Sequence, residues 1–153
     1  MDRNPYVYEI AFVNGVVDGD TFDATVELTP TLRALRRIRL RGVDSPEIRT
    51  KDPEEKRRGQ FARACLVQLV EKLPCRLVLH GRDHYGRWVC DVSNDDYTDI
   101  AGMMVEMGAA RPRRTNHERH EDTLFLYESE VIETRAELFH IGENQLPARD
   151  IQY

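Results

Sequence analysis

The sequence predicts an α+β fold, and three observations carry that prediction. Phe22 to Leu28 alternates strictly, with Phe22, Ala24, Val26 and Leu28 set against Asp23, Thr25 and Glu27, the period of a half-buried strand. Ala62, Leu66, Leu69 and Leu73 recur at helical spacing and form one apolar stripe. Turn-forming clusters at Asp18-Gly-Asp-Thr21, Gly81 to Arg87 and Ser93-Asn-Asp-Asp96 cut much of the remaining apolar sequence into short segments of strand length.

Tyr6 to Val13 and Val16-Val17 are rich in β-branched and aromatic residues, so they read as a strand interrupted at Asn14-Gly15. Phe22 to Leu28 is the second strand. Thr29 to Arg37, with Pro30 inside it, is expected to be a long exposed connection. Ile38 to Arg41 is the third strand, and period two places Ile38 and Leu40 on one face, Arg39 and Arg41 on the other. These three read as an antiparallel meander. Ile48 to Gly59 is charged, contains Pro53 and lacks periodicity, so a loop is expected there. The helix that follows carries the apolar stripe, widened by Phe61, Cys65 and Val70, and Pro74 stops it. Arg76 to His80 and Trp88 to Val92 are the fourth and fifth strands. A short helix runs from Asp99, its N-cap, to Met107, with Gly108 at the left-handed position that ends helices. In the last helix Leu124, Val131 and Leu138 are spaced by seven, as are Phe125, Ile132 and Phe139, with Gly142 as terminator. The sum is a five-stranded β-barrel of the oligonucleotide-binding type (OB-fold) with three helices. It occupies residues 1–143 as one domain, and 144–153 form an irregular tail containing Pro147.

A chain of 153 residues is long enough to bury a core, roughly 70% of its unfolded surface, without metal or disulfide staples. No apolar run approaches the ~20 residues of a membrane helix, and Met-Asp-Arg-Asn-Pro-Tyr lacks the basic-then-apolar pattern of a signal peptide. A cytoplasmic monomer without membrane contact is therefore expected. Three cysteines, Cys65, Cys75 and Cys90, are an odd number at unpatterned spacing and lie in apolar segments, which suits small core residues rather than a disulfide framework or zinc site. The net charge of −5 is unevenly spread, since His117 to Tyr153 alone carries −6. Within the rest, arginines cluster at Arg33 to Arg41 and bases again at Arg49 to Arg58, so a local basic face can attract phosphate. A charge run is more often only a solvated surface, and Arg33, Arg36 and Arg37 read first as a solvated connection.

Three turns at strand ends carry the chemistry: Asp18-Gly-Asp20-Thr21, Asp44-Ser45-Pro-Glu47 and Asp83-His84-Tyr85-Gly-Arg87. They assemble Asp20, Asp44 and Glu47 as hard oxygen donors with Arg39 and Arg87 as cations. Carboxylate and carbonyl oxygens suit Ca²⁺ or Mg²⁺, whereas Zn²⁺ prefers nitrogen or sulfur. Arginine binds phosphate bidentately and cannot lose its proton. That combination fits hydrolysis of a phosphodiester. His117, Glu118, His120 and Glu121 do not have the His-Glu-x-x-His spacing of a zinc enzyme. Trp88 reads as core rather than as a stacking platform, and Asp18 as the residue that closes its turn.

Val17-Asp-Gly-Asp-Thr21, Arg39-Leu-Arg-Gly-Val-Asp-Ser-Pro-Glu47 and Asp83-His-Tyr-Gly-Arg87, in this order and spacing, resemble the staphylococcal-nuclease-like (thermonuclease) family. Weaker likeness runs through Gly59-Gln-Phe-Ala62, Ala101 to Gly108 and Thr115 to His120. The resemblance implies an OB-fold barrel and a calcium-dependent endonuclease that cuts DNA and RNA to leave 3′-phosphate ends, acting on single-stranded or unpaired regions. It places Asp20 and Asp44 as calcium ligands through carboxylates and Ser45 through its backbone carbonyl, where the family usually has threonine. It places Glu47 on the attacking water, Arg39 and Arg87 on the scissile phosphate, and Tyr85 and His84 on the substrate, His84 replacing a lysine. Arg111-Pro-Arg-Arg114 stands where the family often carries base-stacking tyrosines. The alternative is a catalytically silent OB-fold module that binds nucleic acid or protein. Such relatives lose the carboxylates or arginines, and this chain retains Asp20, Arg39, Asp44, Glu47 and Arg87.

Overall fold

A computed structural model describes residues 6–113. Its strands are β1 (Tyr6–Asp18), β2 (Thr21–Thr29), β3 (Leu32–Leu40), β4 (Val43–Asp44), β5 (Cys75–Arg82), β6 (Trp88–Ser93) and β7 (Arg111–Pro112), with helices α1 (Pro53–Val70) and α2 (Ile100–Glu106). Five strands close a barrel in the order β1-β2-β3-β6-β5, with β5 returning to β1. Every joint is antiparallel except β3 to β6, which is parallel. The helical connection through α1 makes that parallel joint possible, because a two-residue hairpin cannot reverse the chain twice. The architecture is the α+β OB-type barrel expected, with two helices among the described residues. The third expected helix and the tail 144–153 lie outside them, as do His117 and His120.

The strict alternation of β2 is realised: Phe22, Ala24 and Val26 are fully buried in the barrel. β1 is not interrupted at Asn14-Gly15. It runs through with register shifts at three places, one of them between Val13 and Gly15, and Asn14 Oδ1 accepts a hydrogen bond from Thr25 Oγ1 at 2.9 Å. Bulges of this kind bend a strand around a small barrel without breaking it. The long connection expected over Thr29 to Arg37 is instead a tight turn at Pro30-Thr31, and β3 begins at Leu32. Its pattern was hidden because Arg36 occupies an alternate position with Ala34 and Ile38, while Leu32 and Leu35 face solvent. β3 ends at Leu40, so Arg41 does not share a strand face with Arg39. Arg41 lies in the following turn, exposed, with Gly42 at φ 80°.

α1 also begins earlier than expected, inside the charged segment. Asp52 caps it by accepting from the Glu54 N–H at 3.1 Å, Pro53 needs no donor in the first turn, and Glu54 and Glu55 complement the helix dipole. Its core face, Phe61, Ala62, Cys65, Leu66, Leu69 and Val70, packs beside β1 and α2. The helix ends at Val70, ahead of Leu73, whose following Pro74 disfavours the helical region. α2 is capped by Asp99 and followed by Gly108 at φ 75°, as read from the sequence. The pairing of β4 with β7 was not expected; strands of two residues carry no periodic signal. No described helix is long and apolar enough to cross a membrane.

Candidate active site

The end of β3 and the β1–β2 turn meet at Arg39. Leu40 N–H donates to the Asp20 carbonyl at 2.8 Å, continuing the β2–β3 ladder into the turn. The Arg39 guanidinium is buried and multiply bound. Nη1 donates to the carbonyls of Leu40 (2.9 Å) and Val43 (2.7 Å), and Nη2 donates to Asp44 Oδ1 at 2.6 Å. Nη1 also lies 3.4 Å from Asp20 Oδ2. One fork thus fixes Asp20 and Asp44, which are 24 positions apart in sequence, beside each other. Ser45 joins them through its backbone N–H, which donates to Asp20 Oδ2 at 3.0 Å. Thr21 Oγ1 donates to Asp20 Oδ1 at 2.8 Å.

Asp18 closes the turn by accepting from the Asp20 N–H at 3.0 Å. Its carboxyl is pushed up to about 7, first by burial and then by the Asp20 carboxylate it faces, with Glu47 adding to the repulsion. Burial opposes ionisation of Asp20 too. Its hydrogen bond with Asp18, the Arg39 charge and the Ser45 and Thr21 donors outweigh that and hold it below the ordinary carboxylate range. Protonation is therefore favoured at Asp18 and the anion at Asp20.

Two glycines let these parts approach. A Cβ on Gly19 would stand 2.5 Å from Ala62 Cβ and 2.7 Å from Ser45 Cβ. A Cβ on Gly59 would stand 2.8 Å from the Glu47 carbonyl oxygen and 2.9 Å from that of Pro46. The start of α1 is therefore seated directly on the Pro46-Glu47 backbone, and the Asp18–Asp20 turn on the same helix. Neither glycine stood out as a site residue; the only sequence signal was Gly59-Gln-Phe-Ala62, whose Gly and Ala are the small contacts. Pro46 is buried and Glu47 is exposed, and Glu47 forms no hydrogen bond or ion pair with a described residue.

Arg87, Tyr85 and His84 occupy the β5–β6 hairpin instead. Asp83 organises that turn: Oδ1 accepts from the N–H groups of Tyr85 (2.9 Å) and Arg87 (3.0 Å), and Oδ2 accepts from Arg87 Nε at 2.5 Å. Partial burial pushes the Asp83 carboxyl up, but Arg87 and these backbone donors prevail and hold it low. The Arg87 guanidinium lies 5.2 Å from the Tyr85 ring centroid, and Tyr85 is 84% exposed. No direct bond joins this cluster to Arg39, and His84 is exposed without a described partner. Asp20, Arg39, Asp44 and Ser45 thus form one network, and Arg87 with Tyr85 a second.

The first network suits a hard cation. Its two carboxylates, Asp20 and Asp44, outnumber the single Arg39 guanidinium. Among the described residues no three His, Cys, Asp or Glu side chains converge, so two carboxylates and the Ser45 carbonyl are what the chain would offer, with water completing the shell. Soft ligands are absent from it: Cys75 and Cys90 are buried thiols, and burial with the Asp91 charge pushes Cys90 up to about 12. Much of the basic surface is spent. Arg33 pairs with Glu27, Arg37 with Asp23 and Arg41 with Asp91, while Arg57 and Arg58 are buried in α1.

The family model of staphylococcal nuclease homologues matches residues 37–140, a span that includes Arg39, Asp44, Glu47 and Arg87 and begins after Asp20. No curated protein matches the chain.

Proposed function

The chain belongs to the staphylococcal nuclease homologue family, and from that premise we propose that it is a calcium-dependent endonuclease of DNA and RNA that leaves 3′-phosphate ends. The observation that carries this reading is the buried Arg39 fork, which holds Asp20 and Asp44 together at the end of β3. Asp20, Asp44 and the Ser45 carbonyl are the groups that would hold calcium. Bound there, calcium would neutralise the phosphate and acidify a water molecule.

The chain's own residues account for the remaining steps. Glu47 is exposed and has no described partner, so its carboxylate is free to receive or align the proton of the attacking water. Water adds to phosphorus, the bond from phosphorus to the 5′-oxygen breaks, and that oxygen takes up a proton, leaving a 3′-phosphate and a 5′-hydroxyl. Arg39 is a fixed charge beside the metal-binding carboxylates. Arg87, with Nε committed to Asp83, presents its remaining N–H groups to the phosphate oxygens as negative charge develops. Tyr85 and His84 lie on the same hairpin, exposed, where they contact the substrate strand. The partner is a single-stranded or unpaired region of DNA or RNA, and the enzyme works as a cytoplasmic monomer.

The test is incubation with single- and double-stranded DNA and with RNA, in calcium or in chelator, with identification of the new ends. Cleavage only in calcium, with 3′-phosphate ends and a loss of about 10²–10³ in rate for Arg87→Ala, is expected. Intact substrates in calcium, with binding retained, would establish a silent module instead.

A further inference from the structure

A groove of about 580 Å³ opens at the barrel mouth beside the β5–β6 hairpin, away from the Arg39 network. Among the described residues, Tyr6, Arg36, Leu79, His80, Arg82 and Trp88 line it with two glycines, and none of these is acidic. Its wall is a ladder of π-faces. Tyr6 stacks on Tyr8 with centroids 6.4 Å apart, Tyr8 meets Trp88 at 5.4 Å, and the Arg36 guanidinium covers Trp88 at 5.5 Å. Tyr6, the outermost rung, is 66% exposed.

The charge of this groove differs from its surroundings. Along β3, Arg33 and Arg37 are each paired with a β2 carboxylate. Among the described residues, Arg36 between them contacts the Leu35 carbonyl and the Trp88 ring and pairs with no carboxylate, and Arg82 likewise has no described carboxylate partner. His80 is held by Asp91 at 2.7 Å. The two arginines left without a described counter-ion on these strands thus meet at the aromatic ladder. Paired aromatic faces and guanidiniums without a carboxylate partner are what single-stranded nucleic acid requires: bases stack without regard to sequence, and phosphates are held by fixed charge. A protein partner of acidic character would use the arginines but leave the ladder without a role.

The groove shares the β5–β6 hairpin with Arg87. Gly86 and Trp88 line it, and Arg87 between them is the arginine assigned to the scissile phosphate. We propose that the barrel mouth formed by Tyr6, Arg36, Arg82 and Trp88 is a second binding site, which holds the single strand of DNA or RNA running on from the scissile phosphate at Arg87. This rests on the nucleic-acid reading above, though not on catalysis.

Trp88 is the only tryptophan in the chain, so its emission reports on the groove itself. The full chain, with chelator present to prevent cleavage, is titrated with oligothymidylate of about 15 nucleotides, within the site size of one OB fold. Saturable quenching is expected, weakened at least ~10-fold by Arg36→Ala with Arg82→Ala. Tyr6→Ala removes an exposed ring outside the core and is expected to weaken it at least ~5-fold. A fluorescently labelled strand that binds by anisotropy while Trp88 emission stays constant would overturn the proposal. So would a double variant that quenches like the wild type, a strand that does not bind, or thymidine monophosphate quenching with the strand's affinity. Cleavage in calcium is measured separately. Cleavage without quenching sinks the groove and spares the nuclease, and quenching without cleavage does the reverse.

Discussion

At Arg39 a single side chain has a structural role and, in the proposed mechanism, a chemical one, and the two have separable consequences. Its fork satisfies two carbonyls and faces two carboxylates in a site where its own side chain is 9% exposed. Arg39→Ala would leave those anions without their counter-charge, and removal of one partner from a buried pair costs about 3–5 kcal/mol. A urea titration should show that loss, and calcium should restore part of it if Asp20 and Asp44 hold the ion. Asp18 gives a pH test. Its folded-state carboxyl sits at about 7, above the ordinary value near 3.9, so the folded chain keeps a proton that the unfolded chain releases. This group therefore favours folding most below pH ~4, and its contribution is lost as pH rises towards 7. The low-lying carboxyls of Asp20 and Asp83 act in the opposite sense, but their contributions change only at more acid pH. In Asp18→Asn the turn can keep its acceptor for the Asp20 N–H. Without divalent ions, denaturation at pH 5 and pH 7.5 should show a smaller decline for the variant than for the wild type. An equal decline would mean that the proton is held elsewhere.

At the scale of elements, the position of α1 decides where Glu47 stands. An alanine in a helix interior normally gains up to about 1 kcal/mol over glycine. At Gly59 the added Cβ would meet carbonyl carbon and oxygen of the Pro46-Glu47 backbone at 2.8–2.9 Å, and backbone cannot swing aside as a flexible side chain does. Overpacking of this kind typically costs 1–3 kcal/mol, so the clash should outweigh the propensity. Gly59→Ala is expected to lower the melting temperature and, by shifting Glu47, to lower kcat more than it raises KM. A stabilised variant of full activity would show that the helix is not seated on that loop. The same contact explains what could be read in the sequence. Turns that carry Asp20, Asp44 and Arg87 announce themselves through short polar motifs, and β2 through pure alternation. β3 did not, because Arg36 takes an alternate position that a sequence reader assigns to solvent. The first turns of α1 did not either, because their charged residues match a loop in composition, and only the Asp52-Pro53 cap marks the start. Close approach at Gly19 and Gly59 is a tertiary fact with no local pattern.

For the molecule as a whole, the proposed binding of a polyanion has to be reconciled with a net charge of −5. Total charge is the wrong quantity, because each arginine's neighbours decide whether it is available. Arg33, Arg37 and Arg41 are each within ion-pair distance of a carboxylate and add little net field. Arg36 and Arg82 lack such partners among the described residues, and Arg87 is tied to Asp83 through Nε and keeps its remaining N–H groups. Binding should then depend on a few discrete phosphate contacts rather than on diffuse attraction. Counter-ion release gives a slope of about −0.7 in log K against log salt for each contact with a single strand, so three contacts predict a slope of about −2. Arg36→Ala and Arg82→Ala should each make the slope shallower by about 0.7, because each deletes one contact. Arg33→Ala removes the same formal charge from the same strand but from an existing pair, and should leave the slope unchanged. Titrations across a salt series, in chelator, separate the two pictures. If Arg33→Ala flattens the slope as much as Arg36→Ala does, the strand senses the summed basic charge of β3, and the barrel mouth has no privileged role.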